Sequence, residues 1–174
     1  MTTTVVRGLA RALMASPATA SNVIARAVRL PDLMSPTGLD LVDRIQLLQT
    51  SDLFSHAHVQ SLAEIAGDFE EFHVEPATPL WREGDAATWL LVVLDGRIDA
   101  LSRDVTGSWS RGVAAGALEA IGGMPRWCEA TAATAVTGLR LSAERLFDAL
   151  EDDFSMAEDL LATLASQLRQ LRYG

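Results

Sequence analysis

A chain of 174 residues with 49% hydrophobic content can bury one substantial core but hardly two, so one compact domain with a short appendage is the expectation. All 14 basic residues are Arg, and against 23 acids they leave a net charge of -9, which makes nucleic acid a poor partner, because phosphate affinity needs a clustered positive surface. The single Cys128 cannot form an internal disulfide and fits a reducing, cytoplasmic compartment, and no apolar stretch reaches the roughly 18 to 20 residues of a membrane span.

The first thirty residues carry Arg7, Arg11, Arg26 and Arg29, with no acid before Asp32. Val5, Val6, Leu9 and Leu13 share one helical face with Arg7 and Arg11 off it, and Val23, Ile24 and Val28 repeat the arrangement after the break at Pro17. Two short amphipathic helices are expected. Three roles stay open for them: packing on the domain or a neighbouring subunit, a disordered or surface-binding tail, and an organelle-type transit peptide. Pro31 and the Ser35-Pro36-Thr37-Gly38 stretch read as a linker, so residues 1–39 form a basic helical appendage and 40–174 the domain.

From Leu41 the apolar period is helical, through Ile45, Leu47 and Leu48; Leu53-Phe54 punctuates it, and Val59, Leu62, Ala63, Ile65 and Ala66 supply a second helix that stops at Gly67. Short apolar segments follow at Phe69 to Val74, Leu80-Trp81, Trp89 to Leu94, Ile98 to Leu101, Ala130 to Val136 and Leu139 to Leu141. That spacing predicts an antiparallel barrel or sandwich. From Ala143 the helical period returns, and Ala157, Leu161, Leu164, Leu168 and Leu171 make an a/d seam. The acidic run Glu151-Asp152-Asp153 reads as a solvated helix start.

Turn residues fall between the strands: Pro76-Ala77, then Arg82-Glu83-Gly84-Asp85, then Asp95-Gly96-Arg97, each read as a hairpin, the last two with Gly for a positive φ. With Gly116 and Pro125-Arg126 further on, this ordered set resembles the cyclic nucleotide-binding domain of the Crp/Fnr (catabolite-activator) superfamily over roughly residues 40–172. The resemblance implies an α+β fold: an antiparallel, jelly-roll-like β-roll flanked by N-terminal helices and one long C-terminal helix.

It also implies a phosphate-binding cassette between Gly112 and Ala132, where the N–H groups of a short helix and an Arg hold the cyclic phosphate. Gly112, Gly116, Gly123, Pro125 and Arg126 fall in the family register without a gap, so the ligand-binding positions carried over are Gly116, Ala117, Leu118, Pro125, Arg126 and Trp127, and the ligand implied is cyclic AMP or cyclic GMP. Two departures bear on it. Ala117 stands where the family has the Glu that accepts from the ribose hydroxyl, and Trp127, Cys128 and Glu129 replace small residues and Thr. Glu119 is expected to be a poor substitute, since two positions along a helix turn a side chain by about 200°. Losing one hydrogen bond to a charged group costs about 1.5 to 3 kcal/mol. A Glu129 facing the phosphate at about 4 Å would add up to roughly 4 kcal/mol at an effective dielectric near 20, and one facing solvent almost nothing. Arg126 has a second reading as a structural ion pair, and Trp109 and Trp127 as core or interface fillers.

No nucleophile elbow, Walker loop or zinc-protease helix occurs, and His56, His58, His73 and Cys128 lack the spacing of metal ligands, so neither enzymatic activity nor a metal site is expected. Only Tyr173 and Gly174 follow Leu171 and its Arg172, and the helix-turn-helix of the superfamily's transcription factors has no counterpart here. The expectation is a non-enzymatic regulatory or protein-interaction module with a degenerate pocket. Two alternatives stay open: a working sensor of a cyclic nucleotide or other phosphate ligand, and a structural component that self-associates through the N-terminal helices and Leu161, Leu164, Leu168 and Leu171.

Overall fold

The computed structural model describes residues 2–15, 38–103 and 106–173, the last seven of them by backbone only. The expected second basic helix around Val23, Ile24 and Val28, most of the linker, and the side chains of Leu168 and Leu171 lie outside the described residues.

In chain order come α1 (Thr2–Met14), α2 (Leu41–Gln49) and α3 (Val59–Ile65), the last running into a 3-10 turn at Ala66–Asp68. The strands are β1 (Glu70–Val74), β2 (Pro79–Trp81), β3 (Trp89–Asp95), β4 (Arg97–Leu101), β5 (Thr106–Ser110) and β6 (Ala114–Ala115), then, after the short α4 (Ala117–Gly122), β7 (Glu129–Ala132) and β8 (Val136–Ser142). Two helices close the chain, α5 (Ala143–Asp152) and α6 (Phe154–Tyr173). This is the expected α+β architecture, with all strand pairs antiparallel in two four-stranded sheets, β1-β8-β3-β6 and β2-β7-β4-β5.

β3 is the wall between two apolar clusters, which is why its sequence is apolar at consecutive rather than alternate positions. Successive strand residues point to opposite faces. Leu90, Val92 and Leu94 face the helices, together with Leu139 and Leu141 of β8. Leu91 and Val93 face the interior of the roll, with Trp81, Ile98, Trp109, Val113 and Cys128. The helical side is fastened at its start by Glu71, whose carboxylate accepts from the backbone N–H groups of Gly38 and Leu39, each at 3.0 Å, and from Arg44.

Three features differ from the sequence reading. The turns at Pro76-Ala77, Arg82 to Asp85 and Asp95-Gly96-Arg97 are not hairpins: each carries the chain from one sheet to the other, and only β4 and β5 are sequence neighbours paired with one another. A second difference is β5, Thr-Gly-Ser-Trp-Ser, an edge strand too polar to read as one because Trp109 alone is buried along it. The third lies in the acidic run, which ends α5 instead of beginning a helix; Asp153 leaves helical geometry and its Oδ1 accepts from Ser155 N at 2.9 Å, breaking the expected single long helix in two. Leu164 of the C-terminal seam is spent on the molecule's own core, and Leu161 packs partly against it.

Of the three roles left open for the N-terminal residues, α1 shows packing. Val6, Ala10 and Leu13, at spacings of four and three, are buried against α4, α5 and α6. Thirteen residues are marginal as a free helix, so α1 depends on that surface.

Gly96 has φ +89°, and a Cβ there would stand 2.1 Å from Ala135 O. Gly96→Ala is therefore expected to destabilise the protein by about 1 to 3 kcal/mol, read as a lower urea midpoint at unchanged slope. Gly67→Ala, whose Cβ would meet nothing within 4 Å, serves as the neutral control.

Candidate ligand site

Gly116 begins α4 with φ +70°. A Cβ at this position would lie 2.1 Å from Arg126 Nη1 and 3.3 Å from Trp81 Cη2, so only glycine lets these groups close on the helix start. Arg126 arrives from the far end of the segment, where Pro125 is exposed and bridges Ala86. Its backbone is locked to the Arg82-Glu83-Gly84-Asp85 turn by two bonds of 2.8 Å, Gly84 N to Arg126 O and Arg126 N to Asp85 O. That turn is braced in turn by Asp85, whose Oδ2 accepts from Arg82 N at 2.8 Å.

The side chain of Arg126 then runs inward. It is 1% exposed. Nη1 donates to Gly116 O at 2.9 Å and Nη2 to Trp89 O at 2.5 Å, while the guanidinium carbon sits 4.1 Å above the Trp81 ring and 5.3 Å from that of Trp89. Trp81 is itself packed edge-on against Trp89 at 5.2 Å and tilted against Trp109 at 5.6 Å. Burial pulls the guanidinium below its ordinary pKa, with the charge of Glu119 the largest opposing influence, and it remains a cation. A buried guanidinium that donates to two carbonyls and covers an indole is a structural clamp in this geometry.

Of the residues carried over by resemblance, Gly116, Ala117, Leu118 and Arg126 come together, all buried. Trp127 is half-buried beside the roll's apolar cluster. Glu129 is exposed, so the repulsion weighed above does not arise. Glu119 is 2% exposed, and its carboxylate feels the charge of Arg126. Side chains in a first helical turn lean back toward the N-terminus, so on a six-residue helix the carboxylate returns to its own backbone N–H instead of rotating away. Burial, the largest influence, raises its pKa; Glu119 Oε1 and Arg126 Nε each lack a hydrogen-bond partner in the protein. The Cys128 thiol, buried in the same region, is pushed up to about 12 by burial and so stays protonated at neutral pH. A separate cleft of about 1030 Å³ lies outside the roll, lined among others by Arg7, Trp89, Arg140 and Phe147.

His58 pairs with Asp159 at 2.7 Å and His73 with Glu75 at 3.3 Å, on different parts of the surface. Among the described residues no group of three or more His, Cys, Asp or Glu is placed to hold a metal, and no helix is long and apolar enough to cross a membrane.

Comparisons with known proteins bear on the fold around this site. Residues 71–153 match the model of the cyclic nucleotide-binding domain family. The N-terminal domain of a transcriptional regulator from Streptomyces coelicolor A3(2) superposes with a TM-score of 0.62 at 26% identity, covering 71% of this chain and 93% of that one. A regulatory subunit of a cAMP-independent protein kinase A from Trypanosoma brucei gives 0.62 at 20% identity over 74% of this chain, which spans 46% of that subunit. A cyclic nucleotide-binding domain from Methylobacillus flagellatus KT gives 0.62 at 18%, covering 75% of this chain and 76% of that one. The last two likenesses show the fold alone. No curated protein sequence matches the chain.

Two outcomes follow from the geometry. Arg126→Ala strands two main-chain carbonyls and is expected to cost about 2 to 4 kcal/mol in urea denaturation; an Arg reaching for solvent would cost almost nothing. For Glu119, a raised native pKa means the folded state holds a proton that the unfolded state releases, so stability falls as pH rises from 4.5 upward toward the native value. Glu119→Gln is expected to remove that slope, as stability measured across the pH range will show.

Proposed function

We propose, from the premise that residues 71–153 belong to the cyclic nucleotide-binding domain family, that this chain is a non-enzymatic regulatory module whose nucleotide pocket is closed on itself and which acts through a protein partner. The observation that carries this reading is the position of Arg126. Its Nη1 and Nη2 donors serve Gly116 O and Trp89 O, and one face of the guanidinium is occupied by Trp81. A cyclic phosphate would have to break these bonds before gaining its own, and the gain of a charge-assisted pair would be offset by the stranded carbonyls.

Three further residues point the same way. Ala117 offers no acceptor for a ribose hydroxyl, and at 3% exposure it is buried in the cluster on the helical side. The carboxylate of Glu119 holds a first-turn backbone N–H of α4, a donor an incoming phosphate would require. With Arg126 so engaged, the family frame of Gly116 and Pro125-Arg126 survives as a fold element, and function passes from the pocket to the outer surface.

Titration calorimetry with cyclic AMP and cyclic GMP tests this, beside an Arg126→Ala control. A ligand at a hundred times its dissociation constant stabilises by about 2.7 kcal/mol, so a functioning site would also raise the melting temperature visibly. The expected result is no heat and no melting shift at millimolar nucleotide. Binding that Arg126→Ala abolishes would instead make Arg126 a ligand residue and the chain a nucleotide sensor.

A further inference from the structure

Both ends of α4 are held by arginine side chains from other parts of the chain. At its start Arg126 Nη1 donates to Gly116 O. At its end Arg11 of α1 donates from Nε to Gly122 O at 2.7 Å. The two contacts differ in kind: the first belongs to the domain, while the second is delivered by a helix that precedes it and is joined to it through residues 16–37.

α1 docks by one side, where Leu9 and Met14 pack partly buried beside three fully buried residues. Val6, Ala10 and Leu13 form one buried stripe, set among Ala117, Leu118 and Ile121 of α4, Leu146 and Leu150 of α5, and Leu160 and Leu164 of α6. Arg7 adds a cation laid 4.2 Å over the Phe147 ring. Val5, outside that stripe, is 58% exposed, and Arg7 is among the residues lining the cleft of about 1030 Å³, most of which belong to the segments around β1, β3, β8 and α5. A short helix with a single apolar stripe, flanked by solvent and tethered by a long connection, can leave as a unit. Its packing is chiefly on α4, α5 and α6, while β3 and β8 pair with each other and wall the roll interior.

We infer that α1 is a strap: docked, it holds α4 and with it the Gly116 to Arg126 clamp in the closed arrangement, and released, it loosens α4 while leaving both sheets intact. This rests on the closed-pocket reading and names what regulates it. An isolated six-residue helix has no stability of its own. The order of α4 is therefore supplied by what grips it, and α1 supplies one of those grips.

Hydrogen exchange on the full chain reads this directly. Leu13→Asp places a charge in the buried stripe and is expected to free the amides of α1; those of residues 117–124 should then exchange at least about tenfold faster, with β3 and β8 at the wild-type rate. Arg11→Ala leaves the stripe untouched and should speed the amides of Gly123 and Met124 at the end of α4. Collapse of the whole chain in Leu13→Asp would overturn the inference by making α1 an inseparable part of the core. Unchanged protection of α4 in both variants would overturn it by making α1 a passenger. Wild-type binding of cyclic AMP would defeat the closed-pocket reading yet leave the exchange result readable, so the two failures are distinguishable.

Discussion

Burying one guanidinium is the constraint on which the centre of this molecule turns. A cation taken out of water is costly unless its donors are used and its surroundings are polarisable. Arg126 meets part of that cost with two main-chain carbonyls and an indole face, while its Nε stays without a partner in the protein. Each partner is thereby fixed as well. Gly116 must be glycine, Trp81 must stand in the roll instead of on its surface, and the Arg82 to Asp85 turn must lie where its backbone can hold that of Arg126. The turn motif and the cassette, about forty residues apart in sequence, are two sides of one junction.

Around that junction the remaining polar groups fall into a consistent pattern. Glu119 lies close enough for its charge to oppose the lowering of Arg126, yet burial still favours its protonated form. Cys128 is kept a thiol by the same burial. These groups are all buried, and the open cleft is lined by other residues, among them Arg7, Arg140 and Phe147.

Much of the architecture was legible in the residues. The glycines at 84, 96 and 116 marked the turns and the cassette start, and the apolar run from Trp89 to Leu94 marked a strand. The path between sheets was not legible, because a turn's composition specifies its local dihedrals and not which sheet receives the next strand. β5 escaped because an edge strand with one buried Trp has no alternation to read. At the site, the register of Gly116 and Arg126 was visible, but the fate of the guanidinium was not: whether an Arg turns inward depends on carbonyls at Gly116 and Trp89 that only the folded chain brings together. The burial of Glu119 beside Arg126 was not legible either, because the local sequence does not say that its carboxylate bends back to its own backbone N–H.

The most direct measurement is of the Arg126 guanidinium itself, by NMR of its Nε and Nη protons alongside the indole signals of Trp81, with and without cyclic AMP. A clamp predicts slowly exchanging guanidinium protons, shifted by the ring current of Trp81 and unmoved by millimolar nucleotide. Guanidinium protons that exchange freely, or that shift together with Trp81 as nucleotide is added, would contradict a pocket closed on itself.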